Sequence, residues 1–231
     1  MAYMTRATEP VGTLGQLRTS SLREQAAESI RAGIISGKIA ADVLYSVPTL
    51  ASELGVSPTP VREAMLDLVG EGLVLTVRNR GYRVIKPTAK DLEDILSIRL
   101  LLEVPAMGEV AVSHQDGDLD RYYTLADRLP ALARKGQVQA YLNADAELHL
   151  GLVALLDNPR LVDMVRLLRN QSRLFDLGPL LAARELSQAG AEHRDLLDTI
   201  ASRDRKRTEA VTRAHLSEVR KAWTRNAEHL A

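Results

Sequence analysis

Several residue types are scarce or missing in this 231-residue chain, and each absence excludes a class of protein. Cysteine is absent, so disulfide bonds and thiolate metal sites are unavailable, and the composition suits a reducing cytoplasm. Aromatic residues make up only 3% of the chain, too few for a surface that stacks the bases of single strands. The 30 basic residues are balanced by 30 acidic ones, so the whole molecule is not a polycation.

Long hydrophobic runs are also missing. No apolar stretch approaches the roughly 20 residues of a membrane span, and the N-terminus has no apolar signal-peptide region. We therefore expect a cytoplasmic protein with no membrane contact. The chain is nevertheless 45% hydrophobic, which is enough to build the cores of two domains.

The hydrophobic pattern divides the chain into three parts. Residues 1–20 mix Gly, Thr, Pro and Ser without periodicity, which predicts a flexible arm. A first domain spans 21–87, and the seam falls at Pro87-Thr88, because proline ends a strand and Thr88 can cap the next helix. From 88 to 231 the pattern is helical nearly throughout and predicts an antiparallel bundle of six or seven helices.

The first domain contains the spacing of a helix-turn-helix. In "TLASELGVSPTPVREAMLDLVGEGL", residues 49–54 and 59–69 read as two short helices around a turn at Gly55. Ser57 can cap the second helix, and Pro58 fits its first turn. From this stretch alone, an ordinary corner between two helices is about as good an interpretation as a DNA-binding motif.

The next stretch favours DNA binding. "LVLTVRNRGYRVIK" predicts a strand, a turn and a second strand, which is the hairpin that forms a wing after a helix-turn-helix. Residues 73–90 contain no acidic side chain, so this edge is locally basic and suits phosphates. Its basic residues are Arg78, Arg80, Arg83, Lys86 and Lys90.

Polar side chains interrupt apolar helix faces in the second domain. In "NADAELHLGL", Asp145 and His149 lie one helical turn apart, on a face that otherwise resembles plain core. His193 and His215 also share stripes with apolar residues, whereas His114 and His229 fall in polar ends. A single histidine on a core face is more often a hydrogen-bonded structural residue than a ligand, so the pattern alone leaves both interpretations open.

These motifs resemble a known family. "LASELGVSPTPVREAMLDLVGEGLV" with "RNRGYRV" resembles the GntR family of bacterial transcription regulators. The helical remainder resembles the FCD effector domain of the FadR-like subfamily, through "AYLNADAELHLGLVALLDNPRL", "AEHRDLLDTI" and "RAHL". The resemblance covers residues 21–229. It implies a mainly α protein with an N-terminal winged helix-turn-helix and a C-terminal all-α bundle for effector binding and dimerisation.

The resemblance also implies a DNA-binding surface. Family members bind near-palindromic operators in double-stranded DNA as homodimers. The residues implied or predicted to contact DNA are Thr59, Arg62, Arg78, Arg80 and Gly81. The sequence departs from the family at Pro58, where relatives usually have arginine, and near Pro48, where another arginine is frequent. These departures remove two guanine readers and leave the operator sequence open.

Many FCD domains bind a divalent metal through an aspartate, a histidine four residues later and two more histidines. The matching residues are Asp145, His149, His193 and His215. Neutral imidazole and carboxylate suit zinc, which we expect, as well as nickel, iron or manganese. The periodicity supports this set independently, since three of the five histidines lie on core faces.

Arg99 faces inward on the first helix of the second domain, and an inward arginine needs an anion. Its partner is either Glu103, four residues later, or a carboxylate effector whose other end reaches the metal. In "RLLRNQSRLF", Arg169, Asn170 and Arg173 are possible polar contributors to the same effector cavity, although the pattern favours surface positions on an amphipathic helix for all three.

The sequence thus predicts a transcription regulator rather than an enzyme, whose operator affinity depends on a small organic acid bound at the metal. One alternative is a metal-dependent hydrolase with a regulatory DNA-binding domain, because three histidines and an aspartate can activate water. A hydrolase also needs a general base, and Glu147 points away from the site. Another alternative is a regulator that senses the metal itself.

Overall fold

The computed structural model describes residues 21–176 and 183–229, with side chains at 21–172 and 192–218. The predicted arm at 1–20 and the predicted helix break at Gly178-Pro179 lie outside these residues. Within them, nine helices and three short strands form a helix-turn-helix with a hairpin, followed by a helical bundle. No helix in this part of the chain is long and apolar enough to cross a membrane.

The N-terminal unit consists of three helices and a small antiparallel sheet. The helices are α1 (Leu22–Ile35), α2 (Val47–Leu54) and α3 (Pro58–Gly70), and the strands are β1 (Leu44–Tyr45), β2 (Val74–Val77) and β3 (Gly81–Val84). The strand order is β1-β3-β2, with both pairs antiparallel. The predicted helix-turn-helix and hairpin are thus confirmed.

The turn between α2 and α3 follows the prediction in one respect and departs in another. Gly55 takes φ 65°, the left-handed conformation that ends α2. Ser57 occupies the N-cap position of α3, but its side chain makes no capping hydrogen bond. The first turn of α3 is therefore stabilised by Pro58 and by the buried face of the helix. That face consists of Val61, Ala64, Met65 and Leu68.

Strand β1 was not predicted, because two residues are too short to show an alternating pattern. It explains the glycine at the start of β3. Gly81 has φ 131°, and a Cβ atom there would lie 2.3 Å from the carbonyl oxygen of Tyr45. The hairpin therefore packs against β1 only because position 81 has no side chain.

Over the described part of residues 88–229, six helices form the C-terminal bundle, in agreement with the prediction of six or seven: α4 (Ala89–Ser113), α5 (Asp120–Arg134), α6 (Val138–Ala154), α7 (Pro159–Asp176), α8 (Ala183–Ala201) and α9 (Arg205–His229). The Thr88 hydroxyl caps α4 by accepting from the Asp91 N–H, and the Asp91 carboxylate accepts from the Thr88 N–H, which forms a capping box. Helix α5 packs on α6 and α8, while α4 packs on α7 and α9. The bundle core is mainly apolar, and it encloses a polar centre between α4, α6, α7, α8 and α9.

Candidate DNA-binding surface and metal centre

Four of the five predicted DNA-binding residues are exposed on the N-terminal unit. Thr59 and Arg62 are exposed on α3, and Arg78 and Arg80 are exposed at the tip of the hairpin. Within the described part of the chain, these three arginines form no ion pair, so their charges are available to an external anion. Gly81 is half-buried, and its role here is to let the hairpin approach β1.

The polar centre of the bundle brings together the four residues that the family resemblance singled out. We call Asp145, His149, His193 and His215 the histidine cluster. The Nε2 atoms of His149 and His193 lie 3.0 Å apart. Oδ1 of Asp145 lies 3.1 Å from Nε2 of His193 and 3.6 Å from Nε2 of His149. One nitrogen from each of the three buried histidines lies within 4.8 Å of the others.

This spacing fits a metal ion. Two atoms that each lie about 2.1 Å from zinc are about 3.0 Å apart at a right angle and about 3.4 Å apart at the tetrahedral angle. The separations of 3.0, 3.1 and 3.6 Å in the histidine cluster fall around these values. Nδ1 of His193 is buried and has no hydrogen-bond partner among the described residues. The polar contacts of this ring with the cluster are therefore made by Nε2.

Burial sets the protonation states that a metal requires. It lowers the pKa of His149 well below its ordinary value, and the charge of Arg169 lowers this pKa further. Burial also lowers the pKa of His215, against a hydrogen bond to Glu192 that raises it. For Asp145, burial raises the pKa, but Arg169 and the His193 hydrogen bond outweigh it and hold that pKa well below its usual range. Neutral imidazole and ionised carboxylate are the ligating forms.

A buried ion network supports the cluster from α4 and α7. Arg169 donates to Oδ2 of Asp145 at 2.7 Å and to Oε2 of Glu103 at 3.0 Å. Arg99 donates to Oε1 of Glu103 at 2.6 Å and to the hydroxyl of Ser172 at 3.3 Å. The two arginines thus neutralise the two carboxylates, as buried charges require.

The network corrects one prediction and decides another. Arg169 is not a surface residue: it is only 6% exposed, although its chemistry had suggested the solvent face. Arg99 faces inward as predicted and pairs with Glu103, the structural partner considered above. Asn170 donates to Glu71 of the N-terminal unit at 3.4 Å, so its described contact is with that unit and not with the histidine cluster.

Two histidine findings went beyond the sequence. His215 is held through Nδ1, which lies 2.8 Å from Oε2 of Glu192, and this contact leaves its Nε2 for the cluster. His114, expected in a polar end, is buried, and its ring contacts the carbonyl oxygen of Val110 at 3.0 Å. The signal for Glu192 was its position directly before His193 in "AEHRDLLDTI".

Comparison with known proteins places both halves of the chain. Residues 22–84 match the family model "Bacterial regulatory proteins, gntR family", and residues 94–218 match the FCD domain model. The fold therefore defines a DNA-binding transcription regulator with a helical C-terminal domain. The chain belongs to the GntR family, in the FadR-like subfamily that carries an FCD domain.

Individual relatives agree with this assignment. The Nta operon transcriptional regulator of Aminobacter aminovorans is 31% identical, over 72% of this chain and 78% of the relative. The probable D-xylose utilization operon transcriptional repressor of Paenarthrobacter nicotinovorans is 25% identical, over 89% of this chain and 90% of the relative. The structure of E. coli McbR/YncC shares the fold, with a TM-score of 0.77 at 21% identity, over 90% of this chain and all of that one.

Replacing Arg169 tests the ion network. We expect Arg169→Met to lower the free energy of unfolding by about 3–5 kcal/mol in the presence of a chelator, because it removes the buried guanidinium that bridges Glu103 and Asp145. Arg166→Met is the matched control: Arg166 lies on the same helix, but its side chain is 45% exposed and pairs with exposed Asp163. The control should change stability by less than about 0.5 kcal/mol. Equal losses in denaturant unfolding would contradict the network.

Proposed function

We propose that this regulator is a homodimeric repressor whose affinity for operator DNA is controlled by a small organic acid, bound at a divalent metal in the FCD domain. The observation that carries the proposal is the convergence of Asp145, His149 and His193 at distances of 3.0 to 3.6 Å in the bundle interior. Zinc is the ion we expect, and nickel, iron and manganese suit the same ligands. Relatives named as repressors support the sign of regulation.

Charge balance supports an anionic effector. Among the described side chains, Arg99 and Arg169 offset the charges of Glu103 and Asp145. A divalent metal would leave excess positive charge in a low-dielectric interior, which a carboxylate can offset. A hydroxy acid suits the site best, because four protein ligands leave an octahedral ion two positions that one chelating molecule can fill. In this proposal Arg99 does not contact the effector. It contributes only by neutralising Glu103, with which it forms an ion pair.

Exposed apolar side chains on α4 support the homodimer. Leu101 is 74% exposed, and Ile98 and Val112 are 41% and 44% exposed along the same helix. A second copy of the chain is the partner that fits this face, because a two-fold dimer would present two recognition helices to a near-palindromic operator.

The hydrolase alternative gains no support from the acids around the cluster. Glu147 is exposed and pairs with Arg121. Glu103 is held between two arginines, and Glu192 contacts His215, so neither is placed as a general base for a metal-bound water.

The DNA-binding surface is tested with the duplex upstream of the regulator's own gene. Arg62→Ala should weaken binding by about 1–3 kcal/mol if Arg62 reads a base edge. Arg80→Ala should mainly reduce the dependence of binding on salt, by about one phosphate contact. Arg128→Ala, an exposed arginine of α5, is the control and should change neither quantity. Unchanged DNA binding by the Arg62→Ala/Arg80→Ala double variant would contradict the proposal that this surface binds DNA.

The metal site is tested by removing one histidine from it. We expect about one divalent ion per chain in the reconstituted protein and almost none in His193→Ala, because the cluster loses a ligand. His114→Ala removes a buried histidine outside the cluster and should keep the metal. Elemental analysis after dialysis measures both. Equal metal in the wild-type protein and His193→Ala would show that the ion binds elsewhere.

The effector is tested by a thermal-shift screen of organic acids, with metal present and with metal chelated. A binding hydroxy acid should raise the unfolding temperature only when metal is present, and should change operator affinity about 5- to 150-fold without being consumed. Stabilisation that persists after chelation or in His149→Ala would place the effector elsewhere. If metal alone gives the full change in operator affinity, the protein senses the metal. Turnover of ester or lactone substrates would favour the hydrolase.

A further inference from the structure

Helix α7 carries side chains that face two different parts of the molecule within a little over one turn. Arg169 and Ser172 point into the bundle, where both are buried. Leu167, Asn170 and Gln171 contact the N-terminal unit instead. Consecutive helix positions are separated by about 100°, so this alternation follows from helix geometry alone.

On the DNA-binding side, these residues meet the joint between the recognition helix and the wing. Glu71 ends α3, accepts a hydrogen bond from Nε of Arg31 at 2.8 Å and lies 3.4 Å from the amide nitrogen of Asn170. Gly72 follows with φ 68°, and a Cβ atom there would lie 2.4 Å from Nε2 of Gln171 and 3.1 Å from Cδ1 of Leu167. The chain therefore passes directly over α7 just before β2 begins.

On the bundle side, the same turn is fixed to the histidine cluster. Arg169 contacts Asp145 at 2.7 Å, and Ser172 accepts a hydrogen bond from Arg99. Nε of Arg169 is buried and has no hydrogen-bond partner among the described residues. This free N–H could form a hydrogen bond if the guanidinium took a second orientation.

We propose that the turn of α7 at residues 167–172 transmits the state of the histidine cluster to the joint at Glu71-Gly72, between the recognition helix and the wing. This inference rests on the proposed metal site. A cation at Asp145 repels the guanidinium of Arg169, which is one residue from Asn170 on the same rigid turn. A shift of that turn moves the side chains that Gly72 packs against. Helix α7 therefore influences the position of the recognition helix α3 relative to the hairpin formed by β2 and β3.

Hydrogen exchange of the full chain tests this, with zinc alone as the probe. Zinc added to the chelator-treated wild-type protein should change exchange both in residues 141–152 of α6 and in residues 68–77, by about 5-fold or more in the latter. In the Asn170→Ala/Gln171→Ala variant, the α6 response should remain and the response at 68–77 should fall below about twofold. Asn170→Asp, which places a carboxylate opposite Glu71, should have the same effect.

Arg166→Ala is the matched control, because Arg166 lies on the exposed side of α7 and should leave both responses as in the wild-type protein. A response at 68–77 that is equal in the double variant and the wild type would overturn the proposed route. An absent response at 68–77 in the wild type would overturn it as well. Calorimetry of zinc binding separates the two proposals: binding without a response at 68–77 rejects only the transmission, while absent binding rejects the metal site itself.

Discussion

The guanidinium of Arg169 joins the buried carboxylate of Glu103 to the largely buried carboxylate of Asp145 on another helix, and the polar centre of the C-terminal domain is arranged around this interaction. It bridges Glu103 of α4 and Asp145 of α6 from its own position on α7. Burial alone would raise the pKa of both carboxyl groups, but the neighbouring arginines lower both values, so both carboxylates stay ionised. An ionised Asp145 beside neutral imidazoles is what makes the centre suitable for a cation.

The same helix connects this centre with the DNA-binding unit. Few side chains of the two units need to touch for coupling, because a helix turn is rigid and its consecutive residues point in directions about 100° apart. Gly72 shows how close the approach is, since any side chain there would collide with Gln171. At Gly72 a side chain would require the end of Gln171 to move, in addition to the strain of φ 68°, whereas at Gly81 the clash is with the backbone of Tyr45.

The DNA-binding surface shows how a regulator tolerates departures from its family pattern. Pro58 replaces an arginine that is usual in relatives, yet it begins α3 and suits a first helical turn. Arg62, Arg78 and Arg80 remain exposed and form no ion pair in the described part of the chain. These three exposed arginines keep the positive charge that contacts with DNA phosphates require.

The sequence by itself determined the elements: periodicity and turn residues specified the helix-turn-helix, the hairpin, the six-helix bundle and the inward-facing Arg99, since each is a local property of the chain. It also grouped Asp145 with three histidines, partly through family resemblance. Only the tertiary structure decided the rest. Burial of Arg169, the contact between Glu192 and His215, the burial of His114 and the two-residue strand β1 all depend on residues far apart in the chain. A single helix pattern cannot show which neighbour covers a given face, so it cannot distinguish a solvated arginine from one that holds a buried site together.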